Sequence, residues 1–190
     1  MSTVAVVPIK SFGHAKTRTG LDGNGRAALV ERMGRDVLAA LAEVRCLEAV
    51  LVVTREPRIA ALAEHVVDEP EEAGHSAAAR LGIDAAVARG ARRVLLVPGD
   101  CPLLDATEVE ALLDFAAAGV TIVPDRHGTG TNALVLDPPH AMAPSFGPGS
   151  CARHAALARA AGVRVSIRHV PSLAFDVDTP EDLAALPQAA

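Results

Sequence analysis

Both lysines of this 190-residue chain, Lys10 and Lys16, fall in one short segment, Pro8-Ile-Lys-Ser-Phe-Gly-His-Ala-Lys-Thr-Arg18; every other cationic side chain is an arginine. The segment follows an apolar run, Val4-Ala-Val-Val7, and precedes the first long helical pattern. Ligands of α/β proteins collect at the carboxyl ends of strands, and helix N-termini favour anions. Strand, basic loop and helix in that order therefore suit a chain of phosphates, with Lys10, Lys16 and Arg18 as counter-charges and His14 within reach. A solvated basic loop has the same composition, so the segment does not decide the matter alone.

Two acidic segments could supply the complementary chemistry. Pro98-Gly-Asp-Cys-Pro102 closes a predicted strand and puts Asp100 where a carboxylate faces the ligand crevice. Asp100 could hold a divalent cation through hard oxygen coordination or simply cap a turn. Phe175-Asp-Val-Asp-Thr-Pro-Glu-Asp182 places Asp176 and Asp178 on one face if the chain is extended there. Two carboxylates so placed repel unless a cation lies between them. For Asp178 the alternative is to cap the helix that begins at Thr179 or Pro180. A third candidate pocket is neutral. Thr131 in Gly130-Thr-Asn132 offers a hydroxyl, and Phe146-Gly-Pro-Gly-Ser150 opens a helix. There Gly147 and Gly149 permit close backbone approach, and Ser150 with the helix start supplies N–H donors to an anion.

Several chemistries are missing. No histidine stands in metal-binding spacing, and His75, His127 and His154 read as polar lining of the candidate site. The chain lacks a Gly-x-Ser-x-Gly elbow, a Gly-x-x-x-x-Gly-Lys-[Ser/Thr] loop and a Gly-x-Gly-x-x-Gly turn after its first strand. A Ser nucleophile, a P-loop NTPase and a dinucleotide oxidoreductase are all disfavoured.

The elements that must position these residues follow from periodicity. Strands are expected at 3–9, 49–54, 65–68, 93–97, 120–123, 132–136 and 163–170. Helices are expected at 26–43, 57–64, from Gly74 to near Gly90, and at 107–118, 150–161 and 179–186. Thr107 and Glu110 stand at capping-box spacing if Thr107 is the N-cap. The Pro- and Gly-rich stretch 137–149 reads as a long, functional loop. Alternation of strand and helix predicts an α/β fold, a three-layer arrangement around a mostly parallel central sheet, in a single domain spanning 1–190.

Half of the residues are hydrophobic, enough for a substantial core, but with four Phe and neither Trp nor Tyr. So few aromatics argue against stacking on single-stranded nucleic acid. The net charge of −5 argues against general nucleic-acid or anionic-membrane surfaces. Cys46, Cys101 and Cys151 are odd in number and far apart, as in reduced cytosolic proteins. With no signal peptide and no long apolar run, a cytoplasmic protein is expected.

Together, Val7-Pro-Ile-Lys10, Ala15-Lys-Thr-Arg18, Val97-Pro-Gly-Asp-Cys-Pro102, Gly130-Thr-Asn-Ala-Leu134, Phe146-Gly-Pro-Gly-Ser150 and Asp176-Val-Asp-Thr-Pro-Glu-Asp-Leu183 resemble the guanylyltransferases of deazaflavin coenzyme (F-420) biosynthesis. These are similar to molybdenum-cofactor guanylyltransferases and belong to the nucleotidyltransferase superfamily, with its Rossmann-like sheet. The resemblance covers nearly the whole chain. It implies transfer of GMP from GTP to a small phosphorylated three-carbon acid, with magnesium as cofactor, a downstream transferase of the pathway as partner, and a possible homodimer. It implies that Lys10, Lys16 and Arg18 hold the GTP phosphates with Pro8 also at the nucleotide, and that Lys16, Arg18 and Asp100 act on the reacting groups. It places Asp100, Asp176 and Asp178 at the metal, and Thr131, Gly147 and Ser150 around the acceptor. Gly74 and Ser76 would lie near the nucleotide; the family usually writes Gly-Leu-Asn-Ala-Ala where this chain has Gly-His-Ser-Ala-Ala. Thr17 and Thr19 stand for the usual Ser and Leu, and Gly99 for the usual Ala. The Ala- and Arg-rich composition suggests a high-GC bacterium, for which phosphoenolpyruvate is the first expected acceptor, then 2-phospho-L-lactate, then 3-phosphoglycerate.

Overall fold

Short β-branched runs build one seven-stranded sheet in this computed structural model, which describes residues 2–12, 16, 19–71 and 73–186. The strands are β1 (Thr3–Pro8), β2 (Ala49–Thr54), β3 (His65–Asp68), β4 (Arg93–Leu96), β5 (Gly119–Pro124), β6 (Thr131–Asp137) and β7 (Val165–Ile167), in the order β3-β2-β1-β4-β6-β5-β7. All neighbours pair in parallel except those of β6, which runs antiparallel to both β4 and β5. That reversal has a consequence for the site. It brings the amino end of β6, at Thr131 and Asn132, to the edge where β1, β4 and β5 have their carboxyl ends.

Every residue of β1, β5 and β6 is buried, as continuous apolar runs covered on both faces should be. One face packs on α1 (Gly23–Ala42), α2 (Pro57–Ala60), α4 (Ala106–Phe115), α6 (Pro171–Ala174) and α7 (Pro180–Ala185) through a cluster that includes Val7, Met33, Leu112, Val135 and Leu173. The other packs on α3 (His75–Ala88) and α5 (Ser150–Ala160) through Val6, Leu51, Ile83, Leu134 and Ala155. The three layers are those expected from the alternation of elements.

Local boundaries differ where caps outweigh periodicity. Helix α1 starts at Gly23, ahead of the expected Arg26, because the Asp22 carboxylate accepts from the Gly25 N–H at 2.7 Å. Helix α4 is capped by Asp105, which accepts from the Glu108 N–H at 2.9 Å, and not by Thr107. The strand expected over 163–170 shrinks to Val165–Ile167, because Pro171 opens α6, an element not anticipated. Helix α2 likewise ends at Ala60, short of the expected Glu64.

Candidate active site

The carboxyl edge of the sheet opens into a cleft of about 560 Å³ lined by Pro8, Lys10, Lys16, Asp100, Thr131, Gly147, Ser150, Asp176 and Asp178, among others. Nine of the predicted site residues thus share one cavity, drawn from the ends of β1, β4 and β6, the start of α5 and the segment before α7.

The charged wall is organised by Lys16. Its side chain is 8% exposed, and its ammonium donates to Asp100 Oδ2 at 2.6 Å and Asp178 Oδ1 at 3.0 Å. Burial by itself would depress this lysine, but Asp100 and then Asp178 outweigh it and hold the ammonium above its ordinary range. The backbone of Lys16 is left-handed, φ 54°, which costs a non-glycine residue energy. Thr19 holds it there by donating its hydroxyl to the Lys16 carbonyl at 2.8 Å.

Asp176 completes the wall and, among the described residues, pairs with no ammonium. Burial and the neighbouring charges of Asp100 and Asp178 push its carboxyl up, and the amide of Asn132, 3.3 Å away, only partly offsets this. Asp176 and Asp178 face the cleft while Val177 between them is fully buried. The alternation expected of an extended chain is therefore present, although the segment is not a strand of the sheet. It is held by the Val177 N–H, which donates to the Asp100 carbonyl at 3.1 Å. Arg126 holds it too, donating to the Asp176 carbonyl at 2.9 Å and pairing with Asp182 at 2.8 Å. Asp178 is not the cap of α7. That position belongs to Thr179 in a capping box with Asp182, which leaves the Asp178 carboxylate to the cleft.

Three carboxylates of hard oxygen donors on one wall, crowded enough to raise one of them, fit a divalent cation by charge and ligand type. Among the described residues they are not gathered at metal-binding range, and the Lys16 ammonium stands between two of them.

The Thr131 to Ser150 side of the lining is uncharged apart from Asp125. Thr131 and Ser150 are buried at its base, and Gly147, with φ 117°, turns the chain into α5. The Asp125 carboxylate shapes the adjoining turn by accepting from the N–H groups of His127, Thr129 and Gly130 at 3.1, 3.0 and 2.9 Å. Behind Thr131 lies His154, fully buried, with its Nδ1 3.0 Å from Thr131 Oγ1. Burial, with a smaller push from Arg153, lowers this imidazole to about 4.

Lys10 lines the cleft from an exposed position. Arg18 and His14 lie outside the described residues. Gly74 and Ser76 do not line the cavity; His75 between them does. Ser76 instead accepts from the Phe146 N–H at 2.8 Å, so its hydroxyl ties α3 to the Thr131 to Ser150 side of the lining. His75 and His154 flank Phe146 edge-on, at centroid distances of 4.5 and 5.1 Å. His127 is exposed and off the cleft. Sequence reasoning missed Asn132 and Asp125 as site residues. Their only signal was position: each sits at the cleft end of a strand. Cys101, fully buried with its thiol pushed well up by burial, then by Asp100 and Asp176, is packing and not a nucleophile.

The cleft thus brings a carboxylate cluster bridged by the Lys16 ammonium together with hydroxyl and backbone donors of Thr131, Gly147 and Ser150. Residues 3–187 match the family model described as "Guanylyl transferase CofC like". The chain belongs to this family. CofC-like relatives include a phosphoenolpyruvate guanylyltransferase from Conexibacter woesei, 48% identical over 98% of this chain and 87% of its own length. A 3-phospho-D-glycerate guanylyltransferase from Phenylobacterium zucineum is 40% identical over 83% of this chain and 76% of its own. A 2-phospho-L-lactate guanylyltransferase from Methanothermobacter thermautotrophicus is 34% identical over 98% and 84%. Among solved structures, a nucleotidyl transferase from the same archaeal species superposes with a TM-score of 0.71 at 16% identity, over 96% of this chain and 94% of that one. The CofC-like chain thus has the nucleotidyltransferase fold, and it is a guanylyltransferase. Among its described residues no helix is long and apolar enough to cross a membrane.

Proposed function

We propose that the cleft transfers GMP from GTP to phosphoenolpyruvate, releasing pyrophosphate, as a cytoplasmic step of coenzyme F-420 biosynthesis. The observation that carries this reading is the pairing of Lys16 with Asp100 and Asp178 in one cleft with Thr131, Gly147 and Ser150. Charge control stands on one wall and recognition of a small anion on the other. In the proposed step an oxygen of the acceptor phosphate attacks the α-phosphorus of GTP. The bond from that phosphorus to the bridging oxygen breaks, and pyrophosphate leaves with the electron pair. The acceptor phosphate is already ionised at neutral pH, so no side-chain base is needed. Repulsion between anions is the obstacle, and orientation with fixed positive charge is the remedy. Lys16 and Lys10 supply that charge to the GTP phosphates, joined by Arg18. Asp100, Asp176 and Asp178 would hold magnesium, which supplies neutralisation of the α-phosphate and the leaving group. Thr131, Ser150 and the Gly147 backbone orient the acceptor.

Phosphoenolpyruvate is favoured over 2-phospho-L-lactate and 3-phosphoglycerate because relatives so named reach the higher identity. The test is pyrophosphate release from GTP and magnesium with the three acids in parallel, repeated with the downstream transferase and its deazaflavin acceptor to draw off a labile product. Release with phosphoenolpyruvate alone is expected. Release only with another acid renames the acceptor. Silence with all three, in protein that still binds GTP, would point to a non-catalytic nucleotide-binding domain and overturn the reading. A homodimer is a further expectation, tested by sedimentation.

A further inference from the structure

His154 makes two hydrogen bonds, and the chemistry of one fixes the direction of the other. The Ser145 backbone N–H can only donate, and it points at His154 Nε2 from 2.8 Å. Nε2 must therefore be the acceptor nitrogen, and the proton of the neutral ring resides on Nδ1. Nδ1 lies 3.0 Å from Thr131 Oγ1, so the imidazole donates and the threonine oxygen accepts. The Thr131 hydroxyl proton is thereby turned away from the histidine, and Thr131 lines the cleft where His154 does not. The ring is fully buried, which keeps it uncharged and the assignment stable. The same ring anchors the loop through the Ser145 N–H, and the next N–H, that of Phe146, is taken by Ser76 Oγ at 2.8 Å. Two consecutive backbone donors are thus clamped just before the Gly147-Pro-Gly-Ser turn.

We propose that His154 is a positioning residue for the acceptor: by donating from Nδ1 it makes the Thr131 hydroxyl an obligate donor, aimed at an anionic oxygen of the phosphorylated acid. This rests on the reading of Thr131 as part of the acceptor pocket. It predicts selectivity for acceptors that carry a carboxylate or phosphate oxygen at that point, over ones that present a hydroxyl or amide hydrogen.

The two bonds can be separated. An asparagine places its amide nitrogen near where Nδ1 stood and keeps the bond to Thr131 while losing Ser145. A glutamine places its amide near Nε2 and keeps Ser145 while losing Thr131. KM for the acceptor and for GTP would be measured by pyrophosphate release for the parent, Thr131→Val, His154→Asn, His154→Gln and the His154→Gln/Thr131→Val double variant. Thr131→Val should raise acceptor KM roughly tenfold to a hundredfold, the size of a hydrogen bond to a charged group, with GTP KM unchanged. His154→Gln should raise it nearly as far, the double variant no further, and His154→Asn should recover most of the loss. If Thr131→Val leaves acceptor KM unchanged, the acceptor-pocket reading fails and this inference with it. If Thr131→Val has its effect but His154→Gln keeps the parent's KM, or the double variant is additive, only the role of His154 is overturned. Should the histidine variants not fold, ¹⁵N NMR of the parent's imidazoles decides: a protonated Nδ1 is expected for His154, and a protonated Nε2 would overturn the proposal.

Discussion

On the carboxylate wall of the cleft, the Lys16 ammonium bridges Asp100 and Asp178, and Asp176 beside them has a raised carboxyl. On the wall proposed to take the acceptor, the side chains of Thr131, Ser145, Ser76 and His154 are joined to one another, to backbone or to the Arg153 guanidinium. The first wall is held together by charge and must change when phosphates or cations arrive. The second is a finished hydrogen-bond frame that gains nothing by moving. An enzyme joining two anions needs both, because the reacting charges have to be balanced during the reaction while the acceptor stays put.

The largest effects should come from the charged wall. Lys16→Ala removes the only ammonium bridging Asp100 and Asp178 among the described residues, and turnover should fall on the order of 10²–10³-fold, as when one preorganised donor is lost. Asp176→Ala should abolish magnesium-dependent turnover and leave the circular dichroism spectrum unchanged. Thermal stability of Asp176→Ala should not fall, since one member of a crowded carboxylate group is gone. Normal turnover in Asp176→Ala would remove that residue from the metal assignment, and with it the contrast between the walls.

The acceptor wall should instead show itself in pH. Because His154 is lowered to about 4 by burial, then by Arg153, the unfolded chain binds its proton more readily than the folded one. Stability is then insensitive to this group above the ordinary imidazole range, near pH 6.5, and is lost progressively as pH falls from there to about 4. Melting temperature followed over this window should drop less in His154→Gln than in the parent. Identical pH profiles would mean that the imidazole is not buried neutral, and the frame would lose its centre.

Two glycines of the cleft lining, one on each side, separate packing from backbone. A Cβ added at Gly99 would stand 2.5 Å from Ile9 Cγ1, so Gly99→Ala should cost about 1–3 kcal/mol by overpacking and lower the melting temperature by a few degrees. At Gly147 a Cβ has room, the nearest atom being Arg153 Nη2 at 3.8 Å, but φ is +117°. Gly147→Ala should act through backbone strain and raise acceptor KM with little effect on GTP. If both variants alter the same kinetic constant, the walls are not independent.

The charged wall was legible in the sequence because its residues are rare or paired: both lysines sit in one loop, and Asp176 and Asp178 stand two apart. The sheet was legible too, since its buried strands are unbroken apolar runs. Less visible was whatever depends on a partner distant in the chain. Periodicity marks β6 as a strand but not its antiparallel direction, which is what delivers Thr131 to the site. Asp105 outcompeted Thr107 as a cap because local carboxylate geometry decided between two acceptable residues. His154 looked like lining because a histidine's role is set by what its two nitrogens meet. Here those are Ser145, nine residues back, and Thr131, twenty-three back.

Ser76 gives the finest test of the contrast. The resemblance put it near the nucleotide in place of an asparagine, yet its hydroxyl oxygen accepts the Phe146 N–H at 2.8 Å and holds the loop that His154 also holds. Ser76→Ala leaves that part-buried N–H without its acceptor, which should cost about 1–2 kcal/mol. It should loosen the turn before Ser150, raising acceptor KM a few-fold and leaving GTP KM alone. Ser76→Asn restores the residue usual in the family but needs room for a longer side chain against Phe146, and its amide oxygen can still accept the same N–H. If Ser76→Ala changes GTP KM and not acceptor KM, the residue serves the nucleotide after all. The boundary between the two walls would then run between Ser76 and Phe146 and not through the carboxylates.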